Sequence, residues 1–306
     1  MKNIFIVSIL TFGFIDPSYA TKGVDVTIQS TSKLKTKTAG VEQYWTEERI
    51  NNATPLPSQE VTNEEFEALM AEPINGGQTI EPNTNIKMVS GEKPVKASMK
   101  EQPYVTAGKL YFTKSDGRKT WCSAQFLGAD NVLLTAAHCL REQSTGKWYT
   151  NFYFIRGYNN GGGEKYEWEC ASLWSGWTGK KPYRQYDYGF LNMSSGSKVG
   201  YMGLKTQVPY THLTAMGYPQ NYENGRYLYK VNGSKGQISN NVVEMQNNPM
   251  RHGNSGGAWF AKDGDQYYAL SVNSFHKKAP NTSEFGPYFN DKTISLFEYV
   301  RDKKCI

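Results

Sequence analysis

The chain has 306 residues, 38% of them apolar and 14% aromatic, with 29 glycines, 21 tyrosines and a formal net charge of +6. That length holds one large domain plus an appendage, and the aromatic and glycine content leans to β-structure rather than a helical bundle. The mean hydropathy is -0.62. Beyond the N-terminus no apolar run approaches the ~18 residues of a membrane span, which argues against stable membrane insertion. The basic residues are dispersed as pairs such as Lys277-Lys278 and Lys303-Lys304, so nucleic acid is not an expected partner.

Residues 1–20 read as a secretory signal. Lys2 flanks an apolar stretch from Ile4 to Ile15, and Ser18-Tyr19-Ala20 fits a small-residue cleavage site. Export implies a secreted or periplasmic location, where four cysteines can pair. Residues 21–100 change character: they hold no cysteine and many Ser, Thr, Asn and Glu. Thr46, with Glu48 and Arg49, predicts the start of a short helix. Thr62 followed by Glu65 is a capping-box pattern, with Phe66, Leu69 and Met70 on one face before Pro73. Residues 74–98 have no periodicity and read as linker. Residues 1–100 carry ten basic and twelve acidic side chains, net -2, against 24 and 16, net +8, in residues 101–306. The region 21–100 is expected to be a removable prosegment that partners the basic domain; the alternative is a disordered extension.

From Tyr104 onwards, short apolar runs alternate with turn clusters, at Gly108–Phe112, Ser123–Leu127, Val132–Ala136, Trp148–Ile155, Tyr186–Met193, Thr214–Gly217, Tyr227–Val231, Ala258–Phe260 and Tyr267–Val272. Such spacing predicts an all-β barrel or sandwich. The final stretch, Thr293 to Lys304, places Leu296, Phe297 and Val300 on one helical face. Three stretches carry chemistry. Thr135-Ala136-Ala137-His138-Cys139 ends an apolar strand in a histidine, Asp187 stands at the mouth of Tyr188-Gly189-Phe190-Leu191, and Gly253-Asn254-Ser255-Gly256-Gly257 flanks a serine with glycines. A serine hydroxyl is a weak nucleophile and needs a base within hydrogen-bond reach, and the base needs an acceptor to fix its tautomer.

TAAHC, DYGFL and GNSGG, in that order, resemble the signatures of the trypsin-like serine peptidases over roughly residues 104–306. The resemblance implies two six-stranded antiparallel barrels with the active site between them and a C-terminal helix. It makes His138 the general base, Asp187 its orienting carboxylate and Ser255 the nucleophile, with the backbone amides of Gly253 and Ser255 as oxyanion hole. Ser274 matches the polar residue that supports the aspartate. Four cysteines allow three pairings; the family's histidine-loop disulfide corresponds to Cys122–Cys139, which leaves Cys170 for Cys305. Asn254 departs from the animal-trypsin pattern, which has aspartate there to receive the newly cut N-terminal amine, so the resemblance leaves the activation mechanism open.

The segment Tyr44-Trp45-Thr46-Glu47-Glu48-Arg49 is similar to prosegments of bacterial glutamyl-endopeptidase-like proteases. The specificity pocket of the family is lined by residues just before the nucleophile and by the strand after it, here Pro249 to His252 and Asn273 to His276. Neither stretch has a carboxylate to neutralise a buried Lys or Arg side chain. Arg251, His252 and His276 offer donors to an acidic one, so cleavage after Glu or Asp is expected, against an apolar pocket with these groups in solvent. The expected partners are protein or peptide substrates and the chain's own prosegment, for a monomer with no cofactor and no metal site. Two rivals are a catalytically inactive homologue that only binds protein, and an esterase of another fold; in the latter the serine would precede the acid and the histidine, which the chain order here rejects.

Overall fold

The structure, a computed structural model, describes residues 26–36, 40–71, 92–179, 183–278 and 282–306. The expected signal at 1–20 and most of the expected linker lie outside the described residues. The N-terminal part holds strand β1 (Ile28–Ser32), helices α1 (Lys33–Thr36), α2 (Val41–Tyr44) and α3 (Glu47–Asn51), strands β2 (Thr54–Pro55) and β3 (Gln59–Val61), helix α4 (Asn63–Ala71) and strand β4 (Val95–Lys96). Thr46 caps α3 by accepting from Arg49 N. At the start of α4, Thr62 Oγ1 accepts from Glu65 N at 3.1 Å while Glu65 Oε2 accepts from Thr62 N at 2.9 Å, the reciprocal capping box read from the sequence.

Six strands follow: β5 (Ala107–Thr113), β6 (Lys119–Phe126), β7 (Val132–Thr135), β8 (Thr150–Asn159), β9 (Gly162–Trp174) and β10 (Gly189–Met193). They pair antiparallel in the order β9-β10-β7-β6-β5-β8, and β8 pairs back to β9, closing a barrel. Phe112, Phe126, Phe152, Phe154 and Trp168 are fully buried in it. Each such side chain withdrawn from water contributes on the order of 1.5–3 kcal/mol.

The second half contains β11 (Gly203–Leu204), β12 (His212–Gly217), β13 (Tyr229–Ser239), β14 (Val242–Gln246), β15 (Ala258–Asp263), β16 (Gln266–Val272), β17 (Phe275–Lys277) and β18 (Glu284–Pro287). Its path runs β16-β15-β12-β13-β14-β18-β17. The hydroxyl of Ser271 on β16 donates to Pro287 O on β18 at 2.8 Å and draws the two ends of this sheet together. Its core includes Trp259, Leu270, Val243 and Met245. The last helix, α5 (Asp291–Arg301), is capped by Asn290 and buries Leu296, Phe297 and Val300. Asn192 Nδ2 donates to Val300 O at 3.1 Å, and Cys305 is bonded to Cys170 of β9. The C-terminal helix is thereby fastened to the first barrel.

The N-terminal part is built into both sheets. β1 pairs antiparallel with β9; β2 pairs parallel with β6; β3 pairs parallel with β17; β4 pairs antiparallel with β13. Val41 and Trp45 are buried against the first barrel, and Trp45 Nε1 donates to Asn151 O at 2.7 Å. The pairing of Val95–Lys96 corrects the reading of 74–98 as linker throughout: an edge strand needs only backbone donors and acceptors, not a periodic side-chain pattern.

Candidate active site

His138 lies in a 3-10 turn (Ala137–Cys139) just past β7. Asp187 ends a second such turn (Arg184–Tyr186) just before β10. β7 and β10 are paired neighbours, Gly189 opposite Thr135, so the two side chains emerge side by side at one end of the barrel. His138 Nδ1 donates to Asp187 Oδ2 at 2.7 Å and His138 N donates to Asp187 Oδ1 at 2.9 Å. Ser274 Oγ, from the turn before β17, also donates to Asp187 Oδ2. Asp187 is fully buried. Burial opposes its ionisation, yet the neighbouring His138 and the hydrogen bonds from His138 and Ser274 outweigh it and hold the carboxyl below its ordinary pKa. An ionised carboxylate only accepts, so Nδ1 carries the ring proton, and Nε2, buried and without a hydrogen bond, presents its lone pair on the opposite edge.

The loop between β14 and β15 carries Ser255, and its backbone reaches Cys139, the neighbour of His138. The Ser255 carbonyl accepts from Ser123 N at 2.9 Å and lies 3.8 Å from Cys139 Sγ. Two glycines fix the loop. Gly253 has φ +81, and a Cβ there would lie 2.1 Å from the Trp121 ring; Gly256 has φ +82, and its Cβ would meet Thr135 Oγ1 at 2.1 Å. Both positions need a left-handed backbone and close approach, which only glycine supplies without strain.

Around the loop stands a set of buried neutral polar groups that sequence reasoning missed. Gln125 Nε2 donates to Gly256 O at 3.0 Å, and its Oε1 accepts from Ala258 N at 2.9 Å. Ser123 Oγ donates to Gly253 O at 2.8 Å. Asn273 Nδ2 donates to Met216 O and Asn254 O, while its Oδ1 accepts from Asn248 Nδ2 and Trp259 Nε1, so all four of its hydrogen-bonding sites are used. The only signal for these residues was polarity inside apolar strands, as in Ser123-Ala124-Gln125-Phe126 and Val272-Asn273.

Cys122 is bonded to Cys139, with Cα atoms 6.2 Å apart, behind the His138 ring. Ligand atoms of Cys122, Cys139 and His138 lie within 4.8 Å of one another, but both sulfurs are spent in the disulfide and offer no thiolate to a metal.

The three residues expected to line the specificity pocket are placed differently from one another. Arg251 turns inward: Nη1 donates to Asn248 O, Met250 O and, at 3.1 Å, to Glu284 Oε2. Glu284 comes from β18 and is 1% exposed; burial pushes its carboxyl up to about 8, against the pull of Arg251. A carboxyl group thus reaches this region from a strand distant in sequence, and the guanidinium is engaged in the fold. His252 Nδ1 accepts from Ser58 N at 2.9 Å, and His252 N donates to Ser58 Oγ at 2.6 Å. His276 Nδ1 is bonded to Lys277 O, while Nε2 is buried without a hydrogen bond, 3.8 Å from Glu60 Oε1. Burial lowers the pKa of His276.

Comparison with known proteins bears on the family and the fold. The sequence model of the family described as Trypsin matches residues 93–294. Among curated protein sequences, none matches. Among solved structures, the protease Anisep from Arthrobacter nicotinovorans is 27% identical with a TM-score of 0.58, covering 65% of this chain and 97% of its own. A thermostable serine protease from an extremophilic microorganism is 25% identical with a TM-score of 0.54, over 64% of this chain and 98% of its own. A Glu endopeptidase in complex with MPD shares the fold at 19% identity and a TM-score of 0.58, over 71% of this chain and 100% of its own. With a family match over residues 93–294, the chain belongs to the trypsin family and is a serine-type endopeptidase.

Proposed function

We propose that this endopeptidase works through an acyl-enzyme on Ser255, with His138 as general base and Asp187 holding the imidazole. The observation that carries the assignment is the fixed His138 ring, with Nδ1 on a buried carboxylate and Nε2 free of any hydrogen bond among the described residues. Ser255 Oγ attacks the substrate carbonyl carbon as its proton passes to His138 Nε2. The tetrahedral oxyanion accepts from the amides of Gly253 and Ser255. Its collapse breaks the C–N bond, and the leaving amine takes the proton from His138. Water then repeats the cycle on the ester. In such sites one lost oxyanion donor costs on the order of 10²–10³ in rate.

Of the three groups weighed for acidic specificity, His276 retains the role. Its Nε2 makes no hydrogen bond among the described residues, and a carboxylate, that of Glu60, stands 3.8 Å from it. Arg251 is engaged by Glu284, and His252 by Ser58. Residues 1–20 are read as the export signal and 21–100 as the prosegment, for a secreted or periplasmic monomer; two disulfides suit an oxidising compartment. Among the described residues no helix is long and apolar enough to cross a membrane.

The test is covalent labelling by a fluorophosphonate together with peptide turnover. Ser255→Ala removes one oxygen and should abolish both while leaving the fold intact. His138→Ala should be nearly as severe, because members of a triad act as a unit. Turnover at the unsubstituted rate in Ser255→Ala would remove Ser255 from the mechanism, and absence of labelling in every form of the folded protein would favour the inactive, protein-binding reading.

A further inference from the structure

Residues 54–61 cross the site from one barrel to the other. Thr54 and Pro55 pair parallel with Thr120 and Trp121 of β6, and Leu56 N donates to Trp121 O at 3.0 Å. The Leu56 carbonyl then accepts from Gly253 N at 3.0 Å. That amide is one of the two assigned above to the oxyanion. Ser58 and His252 exchange two hydrogen bonds. Gln59, Glu60 and Val61 pair parallel with Phe275, His276 and Lys277 of β17, and Lys278 N donates to Val61 O at 3.0 Å. Leu56 itself is 4% exposed.

We propose that this stretch is a built-in inhibitor that fills the substrate cleft with its chain running backwards. The inference deepens the proposed function and rests on Ser255 and His138 acting as assigned there. Direction follows from where the proton must go. The leaving amine takes its proton from His138, whose ring nitrogen clusters with the Cys122–Cys139 bridge. Trp121 precedes Cys122, so the β6 end of the cleft is the leaving-group side. In the bound segment that side holds Pro55, the residue before Leu56. The bond after Leu56 leads the other way, towards β17, so its nitrogen faces away from the proton donor. A carbonyl in this register can occupy the oxyanion amide without becoming a substrate.

The residues suit the task. Pro55 and Pro57 flank Leu56, and each fixes its own φ and biases its predecessor to extended backbone, so less conformational entropy is lost on docking. The bond after Leu56 is also a tertiary amide. On either side the segment is anchored: Trp45 is 2% exposed, the Phe66 ring lies 4.8 Å from that of Phe285, and Lys277 Nζ lies 3.6 Å over Phe66. Scission of the chain between residues 71 and 92 would leave these anchors intact, so the severed N-terminal piece is expected to stay bound and inhibitory until it dissociates or is degraded.

The test uses the full chain and the rate of Ser255 labelling by a small fluorophosphonate, with peptide turnover alongside. Leu56→Asp places a charge in a buried position and should speed labelling by on the order of 10-fold or more, the factor expected if docking favours the closed cleft by ~1.4 kcal/mol or more. Ser58→Ala, which removes only the hydroxyl on His252 N, should accelerate labelling less, in the same direction. Equal rates in the unsubstituted, Leu56→Asp and Ser58→Ala chains, all folded by near-ultraviolet circular dichroism, would overturn the block. Pro57→Ala separates direction from proline protection. A reversed segment stays uncut, whereas cleavage after Leu56, seen by mass spectrometry, would overturn the reversed orientation. Failure of every folded variant to label at all would instead sink the serine-hydrolase assignment on which the inference rests.

Discussion

Ser274→Ala tests how the buried carboxylate acts. Asp187 accepts hydrogen bonds from His138 N, His138 Nδ1 and Ser274 Oγ, and no part of it reaches solvent. Deleting the serine hydroxyl removes one of these donors, and the burial of the site prevents bulk water from replacing it. A hydrogen bond to a charged group is worth about 1.5–3 kcal/mol. At ~1.4 kcal/mol per decade that is a factor of roughly 10 to 100 in rate, if the whole loss is felt when the imidazole becomes cationic. The hydroxyl is buried and turned to Asp187, so the loss is expected in kcat, with KM changed by less than about twofold. Ser274→Thr keeps the hydroxyl and should restore most of the rate if the added methyl is tolerated. The assay is steady-state hydrolysis by enzyme freed of the N-terminal segment, with active sites titrated first. An unchanged kcat, or a loss confined to KM, would refute the role of Ser274 as a positioning residue.

Two further predictions concern ionisable groups. Lys109 is 4% exposed, with its ammonium 3.7 Å from the Trp121 ring and 4.3 Å from Tyr158, and burial pushes its pKa from 10.5 down to about 7. At 1.36 kcal/mol per pH unit this shift costs roughly 5 kcal/mol at low pH relative to alkali. Above 10.5 the amine is neutral in both states. As pH falls, the unfolded chain takes the proton first, so stability is lost down to about 7 and is level below. Lys109→Met should therefore stabilise the protein by several kcal/mol more at acid pH than in alkali, roughly 5 kcal/mol as an upper figure, read by denaturant unfolding in the Ser255→Ala background; an equal effect at both extremes would refute it. For specificity, His276→Gln should cut the ratio of kcat/KM for acidic over neutral substrates by about 10-fold, the value of one ~1.4 kcal/mol contact. In the unsubstituted enzyme that preference should fade as pH rises through a histidine pKa held below its ordinary value of 6.5 by burial; a preference that persists in alkali would point away from His276.

Legibility in the sequence followed the physical range of each signal. Patterns that act locally were readable. The Thr62–Glu65 capping box starts α4 at Asn63, and Leu296, Phe297 and Val300 mark the buried face of α5. The longest strand among the described residues, β9 (Gly162–Trp174), has no clear alternating pattern, although the turn that launches it, Asn160 at φ +47 and Gly161 at φ +106, is the Asn-Gly dipeptide favoured in two-residue hairpins. Its outer half carries Glu164, Lys165 and Glu167 among the aromatics, and that charge masked the alternation. At the site, His138, Asp187 and Ser255 stood out because each lies in a short stretch of marked composition. Glu284 did not: its bond to Arg251 spans 33 residues and exists only through the register of β14 against β18. The same holds for the docking of Leu56 on Gly253, for which a run such as Thr54-Pro55-Leu56-Pro57-Ser58 gives no local sign.

The position of Asn254 ties the site to its control. Trypsin-like sites that carry aspartate there can order the oxyanion loop by an ion pair formed on cleavage; a neutral amide forms none. Here Asn254 is fully buried, its Nδ2 donates to Met250 O at 3.1 Å, and its carbonyl accepts from Gly257 N at 3.0 Å and Asn273 Nδ2 at 3.2 Å. Gln125, Ser123 and Asn273 hold the rest of the loop with neutral hydrogen bonds. The loop is therefore already in place while residues 54–61 are docked, with Gly253 N aimed at the Leu56 carbonyl. A loop that needs no late ion pair has no ordering step left to regulate. Restraint then falls on access to the cleft, which is what the segment from Thr54 to Val61 controls.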